Sequence, residues 1–135
     1  LHSFPTRRSS DLWFIPEYKS YNVNSKKVVI DSLKPLINKV QIKIVLGTWC
    51  SDSQEQVPHF LSILDYLKYP QNSYQIICTN TQKEAVSFSI DDLDIAYVPT
   101  FIFYIDDVEI GRIIESPILS LEKDMLAILQ KALSK

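Results

Sequence analysis

Hydrophobic positions along the chain follow two alternating patterns, one typical of helices and one typical of buried strands. From Ser25 the apolar residues are spaced by four, three and four positions, which predicts a helix. We expect Pro35 to kink this helix or to delay its start. The apolar residues of this helix are Val29, Leu33, Leu36 and Val40. The β-branched run at residues 41–47 then predicts a buried strand.

The rest of the chain continues this alternation. Residues 51–69 predict a second helix and residues 74–80 a second strand. A polar stretch from Thr81 and a short helical turn at residues 91–95 follow. Two apolar runs around Asp106 and Asp107 predict an antiparallel hairpin.

The C-terminal end predicts one more helix, for which Ser120 is a good N-cap. A strand, a helix and a strand in succession imply a parallel pair with a right-handed crossover. We therefore expect one α/β domain, with a mixed central sheet flanked by helices and a C-terminal β-hairpin and helix.

The N-terminal residues do not fit this pattern. Residues 4–12, FPTRRSSDL, resemble the translation of a common sequencing-adaptor oligonucleotide. We therefore expect residues 1–12 to be non-native, with a natural disordered tail as the alternative, and the domain to comprise residues 13–135. The stretch at residues 13–24 is aromatic and polar with one proline, which favours an extended arm over a helix.

Composition narrows the classes of function. A formal net charge of -2 offers no basic excess for nucleic acid or anionic membranes, and the longest apolar run is too short to span a bilayer. Two cysteines and the absence of a His-x-x-x-His pair do not build a zinc site, and two glycines argue against a phosphate-binding loop. We expect no metal, no cofactor, no nucleic-acid partner and no membrane span.

The segment GTWCSDS, residues 47–53, carries the recognisable chemistry. Cys50 stands where the buried strand gives way to a helix, and a helix N-terminus favours the nucleophilic thiolate. Asp52 opposes this effect, so we expect a moderately reactive thiol. The Ser53 hydroxyl, one turn on, can donate a hydrogen bond to the sulfur but cannot attack a disulfide. His59 lies on the opposite helix face, which disfavours a Cys-His dyad.

Three features together resemble the thioredoxin family. Trp49 and Cys50 directly follow a buried strand, and Pro58 stands eight residues beyond Cys50, where that family has a helix-kinking proline. Val98 and Pro99 precede the hairpin, where the family has a cis proline beside its active-site cysteine. The wider phrases GTWCSDS and GRIIESP resemble a bacterial branch of thioredoxin-like proteins.

Two positions depart from the family pattern. Ser53 stands in place of the second cysteine, and Ile44 in place of the buried carboxylate that serves that cysteine. The resemblance then implies a thiol that forms a mixed disulfide without an adjacent thiol to release it. Cys78 ends the neighbouring strand and is either a buried apolar residue or a resolving thiol.

The resemblance implies a thioredoxin-like fold and a thiol-disulfide oxidoreductase with a monothiol Cys-x-x-Ser site. Its partners would be protein thiols or disulfides, or glutathione, in a bacterial cytoplasm or periplasm. The alternative is a redox-inactive module that binds a protein or an extended peptide. A peroxidase and a glutaredoxin-like protein are weaker alternatives. The implied catalytic residues are Cys50 and Ser53, and the implied substrate-binding residues are Trp49, Asp52, Val98 and Pro99.

Overall fold

The computed structural model describes residues 7–80 and 90–134, which form four helices and four strands. The helices are α1 Arg7–Ser20, α2 Lys27–Ile37, α3 Ser51–Tyr66 and α4 Leu121–Leu133. The strands are β1 Gln41–Leu46, β2 Tyr74–Cys78, β3 Thr100–Ile105 and β4 Val108–Ile114. The predicted polar stretch from Thr81 lies outside the described residues, and the non-native origin of residues 1–12 stays a prediction.

The four strands form one mixed sheet in the order β2-β1-β3-β4. β1 pairs in parallel with β2 and antiparallel with β3, so Ile44 lies opposite both Ile76 and Phe101. β3 and β4 form the predicted hairpin, and Asp106 and Asp107 at its turn both have positive φ. α3 connects the parallel pair, and α4 follows the hairpin. This architecture is a thioredoxin-like fold, which confirms the predicted fold class.

The sheet directs its apolar side chains into two cores, because alternate residues of a strand point to opposite faces. The larger core contains Ile44 and Phe101 together with buried residues from all four helices. The smaller core contains Val45 and Ile102 and lies on the other face. Phe60 of α3 stacks on Phe101 with ring centroids 4.3 Å apart, which fixes α3 against the sheet.

The N-terminal segment is helical, so the prediction of an extended arm for residues 13–24 is wrong. α1 continues past Pro16. Phe14 is buried and stacks on Tyr18, whose backbone carbonyl accepts a hydrogen bond from the Ser62 hydroxyl of α3 at 2.8 Å. Packing against α3 therefore provides stability that an isolated helix containing proline lacks.

The other helices agree more closely with the sequence pattern. α2 begins at Lys27, after a 3₁₀ turn, and keeps Pro35 in its last turn. The Ser120 hydroxyl accepts a hydrogen bond from the Lys123 N–H at 3.2 Å, which confirms the predicted N-cap of α4.

A polar and aromatic cluster joins three helices just after α1. The Tyr21 hydroxyl donates to the buried carboxylate of Glu122 on α4. The Tyr21 ring also stacks on His59 of α3, with centroids 4.6 Å apart. Neutral His59 donates from Nε2 to the Glu17 carboxylate of α1 at 3.1 Å. These contacts fix α1 against α3 and α4 in addition to the apolar core.

The substitution Tyr21→Phe is expected to lower the free energy of unfolding by about 1–3 kcal/mol, because it leaves the buried Glu122 carboxylate without its hydroxyl donor. Urea denaturation would report this as a lower midpoint with an unchanged slope. The matched control is Tyr66→Phe, which removes a hydroxyl bonded to the partly exposed Asp31. If Tyr21→Phe lowers the free energy of unfolding no more than Tyr66→Phe does, the burial of Glu122 does not make this hydrogen bond more important.

His59 is expected to make stability fall as the pH drops below about 6.5. Burial lowers the pKa of His59 from 6.5 and outweighs the opposite effect of Glu17. The folded state therefore binds fewer protons than the unfolded state between the lowered value and 6.5, and stability rises with pH across that window. The thermal midpoint, followed downward from neutral pH, should drop less in His59→Gln than in the wild type. If the thermal midpoints of His59→Gln and the wild type fall equally as the pH is lowered, His59 does not have this role.

Candidate functional site

Cys50 is the N-cap residue of α3, where the chain leaves β1 and turns into the helix. Its backbone N–H donates to the Gly47 carbonyl at 3.0 Å, and its carbonyl accepts the Gln54 N–H at 3.0 Å. The side chain is partly exposed, and its thiol donates to the Val98 carbonyl at 3.5 Å. The thiol therefore stands at a helix start, where N–H groups of the first turn lack partners within the helix.

The Val98–Pro99 peptide bond is cis, as the resemblance implied. Val98 and Pro99 are buried directly before β3, and the Pro99 carbonyl accepts a hydrogen bond from the Glu115 N–H at 2.7 Å. The Val98 carbonyl faces the Cys50 sulfur. The structure thus brings together the thiol, the cis proline and the start of the loop after β4.

Ser53 is fully buried, and its hydroxyl oxygen accepts a hydrogen bond from the Gly47 N–H at 3.1 Å. The expected hydrogen bond between Ser53 and the Cys50 sulfur is not formed in the described part of the chain: the Ser53 oxygen accepts the Gly47 N–H, and the thiol donates to the Val98 carbonyl. Ser53 here satisfies a buried backbone amide at the end of β1.

Trp49, the residue before Cys50, presents a partly exposed indole ring. Its indole lies against Gly47, where a Cβ atom would come within 2.4 Å of the ring. The indole N–H donates to the Thr79 carbonyl at 3.1 Å, and the side chain remains 45% exposed. The backbone carbonyl of the residue after β2 therefore holds Trp49 in place. Asp52 is partly exposed in the first turn of α3.

The second cysteine lies away from this arrangement. Cys78 packs against the larger core, whereas Cys50 packs against the smaller core on the other sheet face. Both cysteines are free, and burial raises the pKa of the Cys78 thiol. This placement does not favour Cys78 as a resolving thiol. Ile44 is fully buried in the larger core.

Sequence reasoning missed Thr79, Gln54 and Glu115. The Thr79 hydroxyl donates to the Leu46 carbonyl at 3.1 Å, so this residue joins the ends of β1 and β2 besides holding Trp49. The Gln54 side chain donates to the Thr48 carbonyl at 2.7 Å. The predicted parallel pairing was the one signal that could have located Thr79, since parallel strands end at the same edge of a sheet.

A groove of about 410 Å³ lies between α1 and the first turns of α3. It is lined by Trp13, Glu17, Ser51, Gln54 and Glu55. Among the described residues, no group of three or more His, Cys, Asp or Glu side chains is placed to hold a metal ion. No helix in residues 7–80 and 90–134 is long and apolar enough to cross a membrane.

Comparisons with known proteins support the fold. A scan of protein-family models and a search of curated proteins find no match. A Pseudomonas aeruginosa protein of unknown function is similar in structure, with 15% identity, a TM-score of 0.61, and coverage of 97% of this chain and 88% of that chain. At this identity the likeness supports the fold alone.

Two thioredoxins are similar at lower TM-scores. Mitochondrial thioredoxin 3 from Saccharomyces cerevisiae, in its oxidised form, shows 16% identity, a TM-score of 0.44, and coverage of 85% of this chain and 98% of that chain. Oxidised thioredoxin O2 from Arabidopsis thaliana shows 16% identity, a TM-score of 0.46, and coverage of 85% of this chain and 91% of that chain. These scores are too low to add support. Fold and site together define a thioredoxin-like domain with one cysteine at the head of α3.

The substitution Gly47→Ala is expected to push the Trp49 indole away from the Thr79 carbonyl, because the added methyl group would overlap the ring. In a Trp13→Phe background, Trp49 fluorescence should shift to longer wavelength and become more accessible to a quencher. The control is Gly111→Ala, whose methyl group would meet Ile128 at 2.9 Å and leave Trp49 unchanged. Unaltered Trp49 emission in Gly47→Ala would contradict the close packing of the indole on Gly47.

Proposed function

We propose that the protein is a monothiol thiol-disulfide oxidoreductase that acts through a mixed disulfide on Cys50. The observation that carries the proposal is the partly exposed Cys50 sulfur at the start of α3, 3.5 Å from the Val98 carbonyl and next to the cis proline Pro99. Unpaired N–H groups of a helix start favour the nucleophilic form of a thiol. A partly exposed sulfur can meet the sulfur of another molecule.

The proposed reaction begins when the Cys50 proton is lost to solvent and the sulfur attacks a disulfide of a protein or of glutathione. A bond forms between Cys50 and the attacked sulfur as the original S–S bond breaks. The other sulfur leaves as a thiolate and takes up a proton. Cys50 is thereby oxidised to the mixed disulfide, and the leaving sulfur is reduced.

Release of the partner needs a second thiol from outside the site. Ser53 accepts the Gly47 N–H and has no sulfur to attack the mixed disulfide, and Cys78 packs on the other sheet face. A thiol of glutathione or of the partner protein would attack the partner's sulfur. This step forms a new disulfide and returns Cys50 to its reduced state.

The alternative function is a redox-inactive module that binds a protein partner. The observation that favours it is the pair of substitutions at Ser53 and Ile44, because Ser53 serves the backbone and Ile44 is fully buried in the apolar core. Neither residue can contribute to a second chemical step. Under this alternative Cys50 is a contact residue and not a nucleophile.

The two functions differ in what happens when the protein meets oxidised glutathione. In a Cys78→Ser background, intact mass spectrometry should show one glutathione bound to Cys50, and this adduct should persist. The substitution Ser53→Cys should shorten the lifetime of the adduct by at least about tenfold, because an intramolecular thiol attacks at high effective concentration. The expected product is a disulfide between positions 50 and 53.

The matched control is Ser53→Ala, which removes the hydrogen bond to Gly47 without adding a thiol. Rapid release in this variant would show that structural loosening, and not the new thiol, shortens the lifetime. If neither glutathione nor a model protein disulfide forms an adduct with Cys50, the exchange function is excluded and the binding module remains.

A further inference from the structure

Exposed large hydrophobic side chains in the described part of the chain are concentrated in segments that hydrogen bonds connect to Cys50. Trp49 lies beside Cys50, and Ile118 and Leu119 are 91% and 75% exposed in the loop between β4 and α4. Five of the seven such residues belong to segments 47–56, 94–100 and 114–120, here called the framing segments, which the hydrogen bonds from Cys50 to Val98 and from Glu115 to Pro99 connect. An exposed apolar surface is typical of a contact site. These five residues, here called the apolar rim, are Trp49, Tyr97, Ile114, Ile118 and Leu119.

Hydrogen bonds connect the thiol to the loop of the apolar rim. Cys50 donates to the Val98 carbonyl at 3.5 Å, and Glu115 donates to the carbonyl of the next residue, Pro99, at 2.7 Å. Ile118 follows Glu115 by three residues, so their Cα atoms lie within roughly 11 Å of each other. An extended segment of a few residues bound at Cys50 can therefore reach Ile118.

The loop is held by its backbone while its apolar side chains face water. The Asp124 carboxylate accepts the Ile118 N–H at 2.7 Å and the Leu119 N–H at 3.1 Å. The two side chains therefore contribute little to the core of the fold. Burying them against another molecule would gain free energy.

The charged residues within the three framing segments are all acidic, and Arg112, which donates to the Asp94 carbonyl, is bound to Glu109. The three framing segments contain no lysine or arginine, and their acidic residues are Asp52, Glu55, Asp94 and Glu115. Glu17 and Glu55 also line the groove beside Ser51. Glutathione, with two carboxylates and one ammonium group, has a net charge of about -1 at neutral pH. The acidic surroundings therefore favour a positively charged partner over glutathione.

We propose that the partner of Cys50 is a protein segment whose cysteine is flanked by apolar and basic residues. Ile118 and Leu119 contact the apolar side chains of this segment, and Asp52 and Glu115 attract its basic side chains. The inference rests on the proposed thiol exchange and specifies its substrate class. Glutathione is the alternative substrate, and the experiment compares its rate with that of such a segment.

The experiment uses three pyridyl disulfides and the full chain in a Cys78→Ser background. The probes are the peptides Leu-Lys-Cys-Lys-Leu and Leu-Glu-Cys-Glu-Leu and glutathione, each activated at its cysteine. Cys50 bonds to the cysteine sulfur, and the pyridyl sulfur leaves as pyridine-2-thione, whose absorbance gives the rate. Each rate is divided by the rate at which the same probe reacts with N-acetylcysteine. This ratio corrects for differences in intrinsic reactivity among the three pyridyl disulfides.

The basic peptide is expected to react at least about tenfold faster than glutathione and the acidic peptide, and added salt should narrow the difference. The double substitution Ile118→Ser and Leu119→Ser should lower the rate with the basic peptide about tenfold, because it removes apolar contacts. The double substitution Asp52→Asn and Glu115→Gln should make the rates of the basic and acidic peptides nearly equal.

The matched control is Val28→Ser, which changes a residue that is 83% exposed on α2. This variant should react at the same rate as the parent protein.

The outcomes separate this inference from the proposed function. If glutathione or the acidic peptide reacts as fast as the basic peptide, or if the serine variants react like the parent, the substrate class is wrong and the exchange function stands. If Cys50 reacts with none of the three probes, both proposals fail.

Discussion

The hydrogen bond from the Gly47 N–H to the Ser53 hydroxyl determines where the thiol stands. Gly47 is the first residue after β1, and its buried amide would cost about 1–3 kcal/mol without an acceptor. Ser53 supplies that acceptor from the first turn of α3, which closes the turn and leaves Cys50 at the N-cap. The serine of the Cys-x-x-Ser pattern therefore has a structural role that does not depend on redox chemistry.

Contacts to the backbone build the remainder of the site. Trp49 donates to the Thr79 carbonyl, Cys50 to the Val98 carbonyl, and the Glu115 N–H to the Pro99 carbonyl. Four segments that are distant in sequence thus meet at one edge of the sheet. Because these contacts end on backbone atoms, the exposed side chains around the thiol can change without displacing it. On the proposed function, partner recognition could therefore vary separately from the position of Cys50.

The sequence predicted the elements whose signals are local. The β-branched run of β1 and the Ser120 N-cap are examples, and both are present. α1 was missed because Pro16 weakens the local pattern, while the stabilising contacts, such as Phe14 on Tyr18, arise only when α1 packs against α3.

In the candidate site, the sequence and the family resemblance located Cys50, Trp49 and the cis proline Pro99. They did not predict that the Ser53 hydroxyl accepts a hydrogen bond from a buried amide, because that requires knowing which N–H groups the end of β1 leaves without a partner.

On the proposed function, the position of Cys78 bears on how a mixed disulfide would be released. Cys78 packs on the other sheet face, so the releasing thiol would come from another molecule. A bound protein segment that covers Ile118 and Leu119 would also shield the sulfur from small thiols. A second cysteine in the partner, already held near the mixed disulfide, would have the shortest approach to it. Release would then depend on the partner's sequence, and a partner with one cysteine would stay bound to Cys50.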